Sequence, residues 1–164
     1  MTAKLHWLPK LMFLEDFGGY WEAYLEALYD VFKRDFVESS SEFKGRKLNL
    51  KRHPMISGKE ATFWHIISEG TEEEERLPDM RRCERISWPR PIIDHNEDKA
   101  VKVWKNQRRG ETRICLWLEK QDYLVVIAER ESYLLFWTAY PVAREHTRRK
   151  LLKEYKKYTE GLSK

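Results

Sequence analysis

The chain has 164 residues, a formal net charge of +4 and a sequence pI near 9.0, with 35% charged and 13% aromatic residues. This length suits one domain with a core of its own, and the positive balance favours a polyanionic partner. The sequence contains no apolar run of membrane-spanning length, and its two cysteines form no CxxC pair, which argues against a zinc site or a disulfide framework. We therefore expect a cytoplasmic protein with reduced thiols, no membrane contact, and neither a metal nor a cofactor.

The N-terminal part is predicted to be helical after a lead-in over residues 1–18, of which residues 1–10 are expected to be loose. Aromatic and leucine residues then recur at helical spacing, which predicts an amphipathic helix over residues 19–36. Its apolar stripe comprises Tyr20, Tyr24, Leu25, Leu28, Phe32 and Phe36. A stripe of this kind is typical of a core, and the alternative is a surface that stacks bases.

A turn and a strand are predicted over residues 43–50, followed by a second helix. Ser57 and Glu60 have the spacing of a capping box, so this helix is expected to start near Ser57 and to end before Gly70. It carries His65 among apolar neighbours. The acidic run over residues 72–75 then predicts a solvated loop.

The middle of the chain gives weaker signals. Residues 81–88 form a short segment that ends at Pro89, and Ile92 and Ile93 are expected to be extended. Residues 94–105 fit a helix or a strand equally well. Residues 107–110 are expected to form a turn into the last part of the chain.

The C-terminal third predicts three antiparallel strands and then a basic helix. The strands cover residues 112–118, 122–128 and 133–140, and the short polar links between them suit hairpins. The helix over residues 144–158 has seven Lys or Arg against two Glu. The expected fold is α+β: N-terminal helices on a small antiparallel sheet, a terminal three-strand meander and a basic C-terminal helix. We expect a single domain over residues 1–164, with its first part over 19–70 and its second over 81–158.

His65 is the strongest candidate for acid–base chemistry, because a histidine exchanges a proton near neutral pH. The alternative is a core histidine that bonds to the backbone. His53 and His146 are weaker candidates. The sequence has no HExxH, no phosphate-binding glycine loop and no GxSxG turn, so it gives no support to a metalloprotease, a nucleotide-binding loop or a serine hydrolase.

An arginine-rich set of residues remains, and it suits cleavage of RNA without a metal. Such cleavage needs a base for the ribose 2′-hydroxyl, cations for the phosphorane and an acid for the leaving oxygen. Arginine suits the phosphate because its fork bonds two oxygens at once. Trp117, Trp137 or Tyr140 would stack a base. Arg113 and Arg130 have an equally ordinary alternative as surface salt-bridge partners.

Three segments carry a resemblance to known proteins: GKEATFWH at 58–65, RRCERI at 81–86 and YLLFWTAYPV at 133–142. With the order of the elements, they resemble a phage- and prophage-associated bacterial group connected with the Barnase/EndoU/Colicin/RelE superfamily of RNases. That resemblance implies a catalytic set of Lys59 and His65, then Arg85 or Arg113, then Thr138 and Tyr140.

The first hypothesis is therefore a metal-independent endoribonuclease of toxin-like type, with RNA as its partner and a cognate inhibitor or host protein as a further candidate. Its catalytic residues would be His65, Lys59, Glu60, Arg85, Arg113, Thr138 and Tyr140. Its nucleic-acid-binding residues would be Arg130, Arg144, His146, Arg148, Arg149 and Lys153. The second hypothesis is a non-catalytic module that binds RNA or protein. The third is a phage protein that binds a host protein through an exposed apolar stripe on the first helix.

Overall fold

A computed structural model describes residues 5–70 and 76–162. The helices are α1 (Trp21–Phe32), α2 (Ala61–Ile67), α3 (Met80–Glu84), α4 (Pro89–Asp94) and α5 (Glu145–Leu162). The strands are β1 (Glu42–Phe43), β2 (Arg46–Leu50), β3 (Ser68–Glu69), β4 (Leu77–Pro78), β5 (Val101–Arg108), β6 (Glu111–Leu118), β7 (Tyr123–Glu129) and β8 (Leu134–Pro141). A single 3-10 turn, Leu14–Phe17, precedes α1, and a π-helical turn, Lys33–Val37, extends it.

Six strands form one sheet in the order β1-β2-β8-β7-β6-β5, and β3 and β4 form a separate two-stranded hairpin. The pairs β5–β6, β6–β7 and β7–β8 are antiparallel, which confirms the predicted meander and the α+β fold. The sheet departs from the expected antiparallel arrangement at one place. There β2 lies parallel to the first part of β8, because the chain crosses over between them through α2, α3, α4 and the meander.

One face of this sheet, the inner face, carries the larger core. Its strands contribute Ile114, Leu116, Val125, Ile127 and Phe136, which pack against the N-terminal helices. The stripe of α1 lies in this core: Tyr24 and Leu28 are 0% exposed and Phe32 is 1% exposed. The core interpretation is confirmed for the stripe from Tyr24 to Phe36, whereas Tyr20 precedes α1 and is 73% exposed. The exposed stripe required by the third hypothesis is wrong, because α1 buries these side chains against the sheet.

Residues 5–13 are packed against the fold, in contrast to the loose lead-in expected there. The Trp7 ring stacks on His95 with ring centroids 4.5 Å apart, and its indole Nε1–H donates to Asp98 at 3.0 Å. The backbone N–H of Met12 also donates to the carbonyl of Glu84 at 2.9 Å. These contacts fasten the segment beside α3 and α4.

The second helix begins at Ala61, four residues later than predicted. The backbone N–H groups of Ala61 and Thr62 have no acceptor within the helix. They donate to the backbone carbonyls of Arg52 and Lys51, respectively. No side-chain cap is needed, so the capping box at Ser57 is wrong. Ser57 has a φ of 52° and lies instead in a tight turn closed by two backbone hydrogen bonds between Ile56 and Lys59.

Two further assignments in the middle of the chain are settled by the structure. Ile92 and Ile93 lie in α4 rather than in an extended segment, since Pro89 starts that helix instead of ending one. Of residues 94–105, which fitted helix or strand equally, Asp94 ends α4, residues 95–100 form turns, and the rest lie in β5. The predicted acidic loop over residues 72–75 lies outside the described residues.

The other face of the sheet, the outer face, is covered in part by α5. Leu151 packs there on Trp104, Cys115 and Leu124. Trp117 is 0% exposed beneath α5, so the expectation that it stacks a base is wrong. Cys83 and Cys115 are buried and unpaired, as predicted. Within the described residues, none of the helices combines the length and the apolar character that crossing a membrane requires.

A register shift in β8 alters the side of the sheet that its residues face. Val126 pairs with Thr138 and Ile127 with Phe136, so Trp137 is an extra residue in β8. Bulges of this type bend a strand and redirect its side chains. Phe136 therefore points into the inner core, while Trp137, Thr138 and Tyr140 lie on the outer face beyond the reach of β2.

Candidate functional site

A cleft of about 400 Å³ opens where the second half of β8 meets α2, α3 and the β3–β4 hairpin. Its described lining is polar and aromatic and comes from five parts of the chain: Lys51, His65, Glu69, Gly70, Arg76, Arg82, Trp137, Thr138 and Tyr140. The lining contains three basic residues, one histidine and one glutamate. The cleft exists because β2 ends at Leu50 and leaves this half of β8 without a strand on that side.

The end of α2 is held by two arginines that also line the cleft. The guanidinium of Arg82 donates to the carbonyls of His65 and Ser68 at 3.0 and 2.8 Å. Arg76 donates to the same two carbonyls at 3.2 and 2.5 Å. Cations suit this position because the last carbonyls of a helix lack partners within it. The two positive charges are thereby fixed beside the imidazole-bearing residue.

Lys51 is fixed at the entrance to the cleft by its backbone. Its N–H donates to Oγ1 of Thr62 at 2.8 Å, and its carbonyl accepts from the same hydroxyl at 3.1 Å. Thr62 is 0% exposed in the first turn of α2. These two bonds join the end of β2 to the start of α2, and Lys51 lines the cleft together with His65.

His65 is 7% exposed and lies on the last turn of α2. Its ring meets the edge of the Trp137 ring, with centroids 5.8 Å apart at an angle of 69°. The hydroxyl of Thr138 donates to the backbone carbonyl of His65 at 3.3 Å. The β8 bulge supplies both partners, so the position of the imidazole depends on that irregularity.

Tyr140 forms the far wall of the cleft. The Arg82 guanidinium lies 5.3 Å from the centre of its ring, a cation–π distance. Burial raises the pKa of Tyr140, the neighbouring thiol of Cys115 adds to the rise, and Arg108, Arg82 and Arg113 oppose it only in part. Within the described part of the chain, the hydroxyl has no hydrogen-bond partner. It is therefore a protonated donor that faces the cleft at neutral pH.

A second, smaller pocket of about 90 Å³ adjoins the cleft and shares Thr138 and Tyr140 with it. The rest of its lining is Asn106, Arg108, Arg113, Cys115, Leu124, Val126 and Leu151. Arg113 lies with its guanidinium 5.3 Å from the centre of the Trp137 ring, and its Nε donates to Glu111 at 3.3 Å. The two pockets together form a groove on the outer face between α2 and α5.

Three residues predicted to be catalytic do not line either pocket. The ammonium of Lys59 pairs with Glu26 of α1 at 2.8 Å, and Glu60 accepts from the Tyr29 hydroxyl at 2.5 Å. These contacts turn both side chains toward α1. Because α2 starts at Ala61, Lys59 and Glu60 precede the helix and are not carried on it. Arg85 lies over the Trp88 ring at 5.3 Å and donates to the carbonyl of Arg81 at 2.9 Å.

The predicted nucleic-acid-binding residues are spread over the surface. Arg130 pairs with Glu111 at 2.8 Å, and Arg148 pairs with Glu119 at 3.2 Å and with Asp122. The others lie exposed on or beside α5: Arg144, His146, Arg149 and Lys153. Arg149 and Lys153 line a shallow surface depression with Leu152, Lys156, Lys157 and Glu160.

Sequence reasoning missed Lys51, Arg76 and Arg82 as members of the site. Arg82 lies in the segment 81–86 that carries part of the resemblance, but nothing in the sequence marks it as a site residue. The only other signal was the density of basic residues. In residues 5–70 and 76–162, no group of three or more His, Cys, Asp or Glu side chains is arranged to hold a metal ion.

The arrangement pairs a buried imidazole with a protonated phenol across a space lined by fixed positive charge. The basic side chains outnumber the one carboxylate of Glu69, so the lining attracts anions, and an imidazole and a phenol are groups that can exchange protons. Comparisons of this chain with protein-family models, with curated protein sequences and with solved structures found no match.

Proposed function

We propose that the protein is a metal-independent endoribonuclease that acts in the cleft between α2 and β8. The observation that carries the proposal is that His65 and Tyr140 line one cleft together with Lys51, Arg76 and Arg82. A single lining thus contains the three kinds of group that RNA cleavage by the ribose hydroxyl requires.

His65 acts as the general base. It takes the proton of the ribose 2′-hydroxyl, and the resulting oxygen attacks the adjacent phosphorus. Tyr140 acts as the general acid and gives its proton to the 5′-oxygen as the bond from phosphorus to that oxygen breaks. The products are a 2′,3′-cyclic phosphate and a free 5′-hydroxyl. The raised pKa of Tyr140 supports this role, because only a protonated phenol can donate.

The cations supply electrostatic stabilisation of the charge that develops on the phosphate oxygens. Arg76 and Arg82 are held in place by the carbonyls of His65 and Ser68, so little reorganisation is needed when the substrate binds. Lys51 adds a third positive charge at the entrance. Trp137 offers a partly exposed ring for stacking against a base.

A second candidate function is a module that binds RNA without cleaving it. One observation favours it: Arg76 and Arg82 direct several of their N–H groups at protein carbonyls, as arginines with a structural role do. In that case the cleft would hold a phosphate by charge alone, and His65 would be a core residue.

The test is cleavage of total tRNA and rRNA in EDTA by the wild-type protein and by His65→Gln. We expect discrete products that end in a cyclic phosphate from the wild type and none from the variant. His6→Gln, which changes an exposed histidine far from the cleft in sequence, is the matched control and should cleave like the wild type.

Full activity in a folded His65→Gln protein would exclude His65 as the base. Intact RNA that shifts on a gel at low salt would favour the binding module. Circular dichroism of each variant separates loss of chemistry from loss of fold.

A further inference from the structure

We infer that the small pocket beside Tyr140 is a second phosphate-binding subsite, and that RNA lies across Tyr140 as a continuous single strand. This inference rests on the proposed function for the identity of the scissile bond. It adds a substrate requirement: the preferred RNA carries at least one further phosphate next to the one that is cleaved.

The first argument is continuity. Thr138 and Tyr140 line both the cleft and the small pocket, so the two spaces adjoin at these side chains. Arg82 lies over the Tyr140 ring from the cleft side, while Arg108 and Arg113 line the pocket. An RNA strand that enters the cleft therefore meets the positive charges of Arg108 and Arg113 after it passes Tyr140.

The second argument is unused hydrogen-bonding capacity. Within the described residues, the Arg108 side chain makes neither a hydrogen bond nor an ion pair. Arg113 bonds Glu111 through Nε, and its two terminal nitrogens have no partner in the same part of the chain. The guanidinium carbon of Arg113 lies 5.3 Å from the centre of the Trp137 ring, a cation–π distance. Arginines that line a pocket with free donors are suited to a phosphate.

The third argument is size. The pocket measures about 90 Å³ against about 400 Å³ for the cleft. Sites for whole organic ligands start at roughly 300 Å³, so the small pocket suits one compact group rather than a nucleoside. Its floor, formed by Leu124, Val126 and Leu151, offers no charge that would repel a phosphate.

The experiment compares two substrates of the intact protein and two matched variants. One substrate is a dinucleoside monophosphate with a single ribose, which carries only the scissile phosphate. The other is a deoxy-hexanucleotide with one central ribonucleotide, so that it has one cleavable bond and additional phosphates. Arg108→Gln removes a charge from the pocket. Arg109→Gln removes the same charge from the neighbouring residue, which lies in the turn after β5 and lines neither pocket.

We expect Arg108→Gln to lower kcat/KM for the hexanucleotide about tenfold more than kcat/KM for the dinucleotide, with the additional loss mainly in KM. Arg109→Gln should leave both values close to the wild type. Equal losses on both substrates, no loss on either, or the same loss in Arg109→Gln would overturn the second subsite.

Binding of a fully deoxy hexanucleotide tests the subsite without any chemistry. The slope of log affinity against log salt should fall by about 0.7 in Arg108→Gln, as expected for one lost contact to a single strand. If the wild type cleaves neither substrate but this slope changes as stated, the proposed RNase function fails and the subsite stands. An unchanged slope would exclude the subsite, whatever the cleavage assays give.

Discussion

The two faces of the six-stranded sheet are built largely from the same four strands, β5 to β8, yet they differ in polarity. The inner face is closed by aromatic residues of α1 and α2 and by Ile92 and Ile93 of α4, and its centre excludes water. The outer face is covered by α5 over β5, β6 and β7, and it leaves Thr138 and Tyr140 of β8 bordering a basic groove. One face can therefore stabilise the fold while the other leaves polar side chains open for the proposed chemistry. Substitutions on the two faces should therefore separate stability from activity.

The largest expected effect on stability comes from the centre of the inner face. Phe136 is 0% exposed and its ring centre lies 4.8 Å from that of Phe36. Phe136→Ala removes this packing and leaves a cavity, so we expect a loss of about 3–5 kcal/mol in the free energy of unfolding, measured in urea. Tyr133→Ala, at a residue that is 40% exposed, is the control and should lose much less. If both variants lost a similar free energy of unfolding, the inner face would not be the main source of stability.

The largest expected effect on activity comes from the outer face. Tyr140→Phe removes only a hydroxyl that has no partner within the described residues, so the free energy of unfolding should change by less than about 0.5 kcal/mol. Removal of a general acid should lower the cleavage rate by about 10²-fold or more. Cleavage of a single-ribose substrate measures this change, with Tyr133→Phe as the matched control. A Tyr140→Phe protein that cleaves at the wild-type rate would exclude the acid role.

A smaller, pH-dependent effect is expected at the polar end of the inner face. Glu129 bonds Lys105 at 3.1 Å and Arg46 at 2.7 Å. Partial burial by itself raises the pKa of Glu129, but the bonds and charges of Lys105 and Arg46 outweigh it and hold the pKa below the ordinary value of 4.5.

A lowered pKa in the folded state stabilises the fold at pH values above the unfolded pKa, and this contribution is lost as the pH falls through the folded pKa. Glu129→Gln should therefore cost about 1 kcal/mol at pH 7, a modest value because both cationic partners are partly exposed. The difference from the wild type should shrink as the pH is lowered past about 4.5. Urea unfolding at pH 7 and at pH 3 measures it, and a difference that grows toward acid pH would contradict the assignment.

The smallest effect is expected on the solvent side of α5. Arg149 pairs with Glu145 at 3.4 Å, and the two side chains are 78% and 65% exposed. Arg149→Gln should change the free energy of unfolding by no more than about 0.5 kcal/mol. Thermal unfolding at low and at high salt checks this, because screening should erase even that difference.

Elements with a strong apolar pattern could be predicted from the sequence alone. The meander is visible in three apolar or β-branched runs joined by short polar links, and the stripe of α1 is visible at helical spacing. The start of α2 could not be found, because its cap is the backbone at Lys51 and Arg52, which have no local signature. Backbone capping depends on how distant segments meet.

The candidate site was predicted in part for the same reason. His65, Thr138 and Tyr140 were singled out by residue type and line one cleft. Arg76 and Arg82 were missed because their positions depend on the carbonyls at the end of α2, which is a tertiary contact. The bulge at Trp137 gave no signal, since one extra residue in an apolar strand leaves the pattern almost unchanged.

The parallel pairing of β2 with β8 also has a consequence for the order in which the molecule is completed. Leu48 meets Leu134, so this pairing joins segments that are far apart along the chain. Contacts of such long sequence separation slow folding, because a large loop must close before they form. The cleft needs Tyr140 as well as His65. A chain still being synthesised therefore lacks the cleft until β8 has left the ribosome.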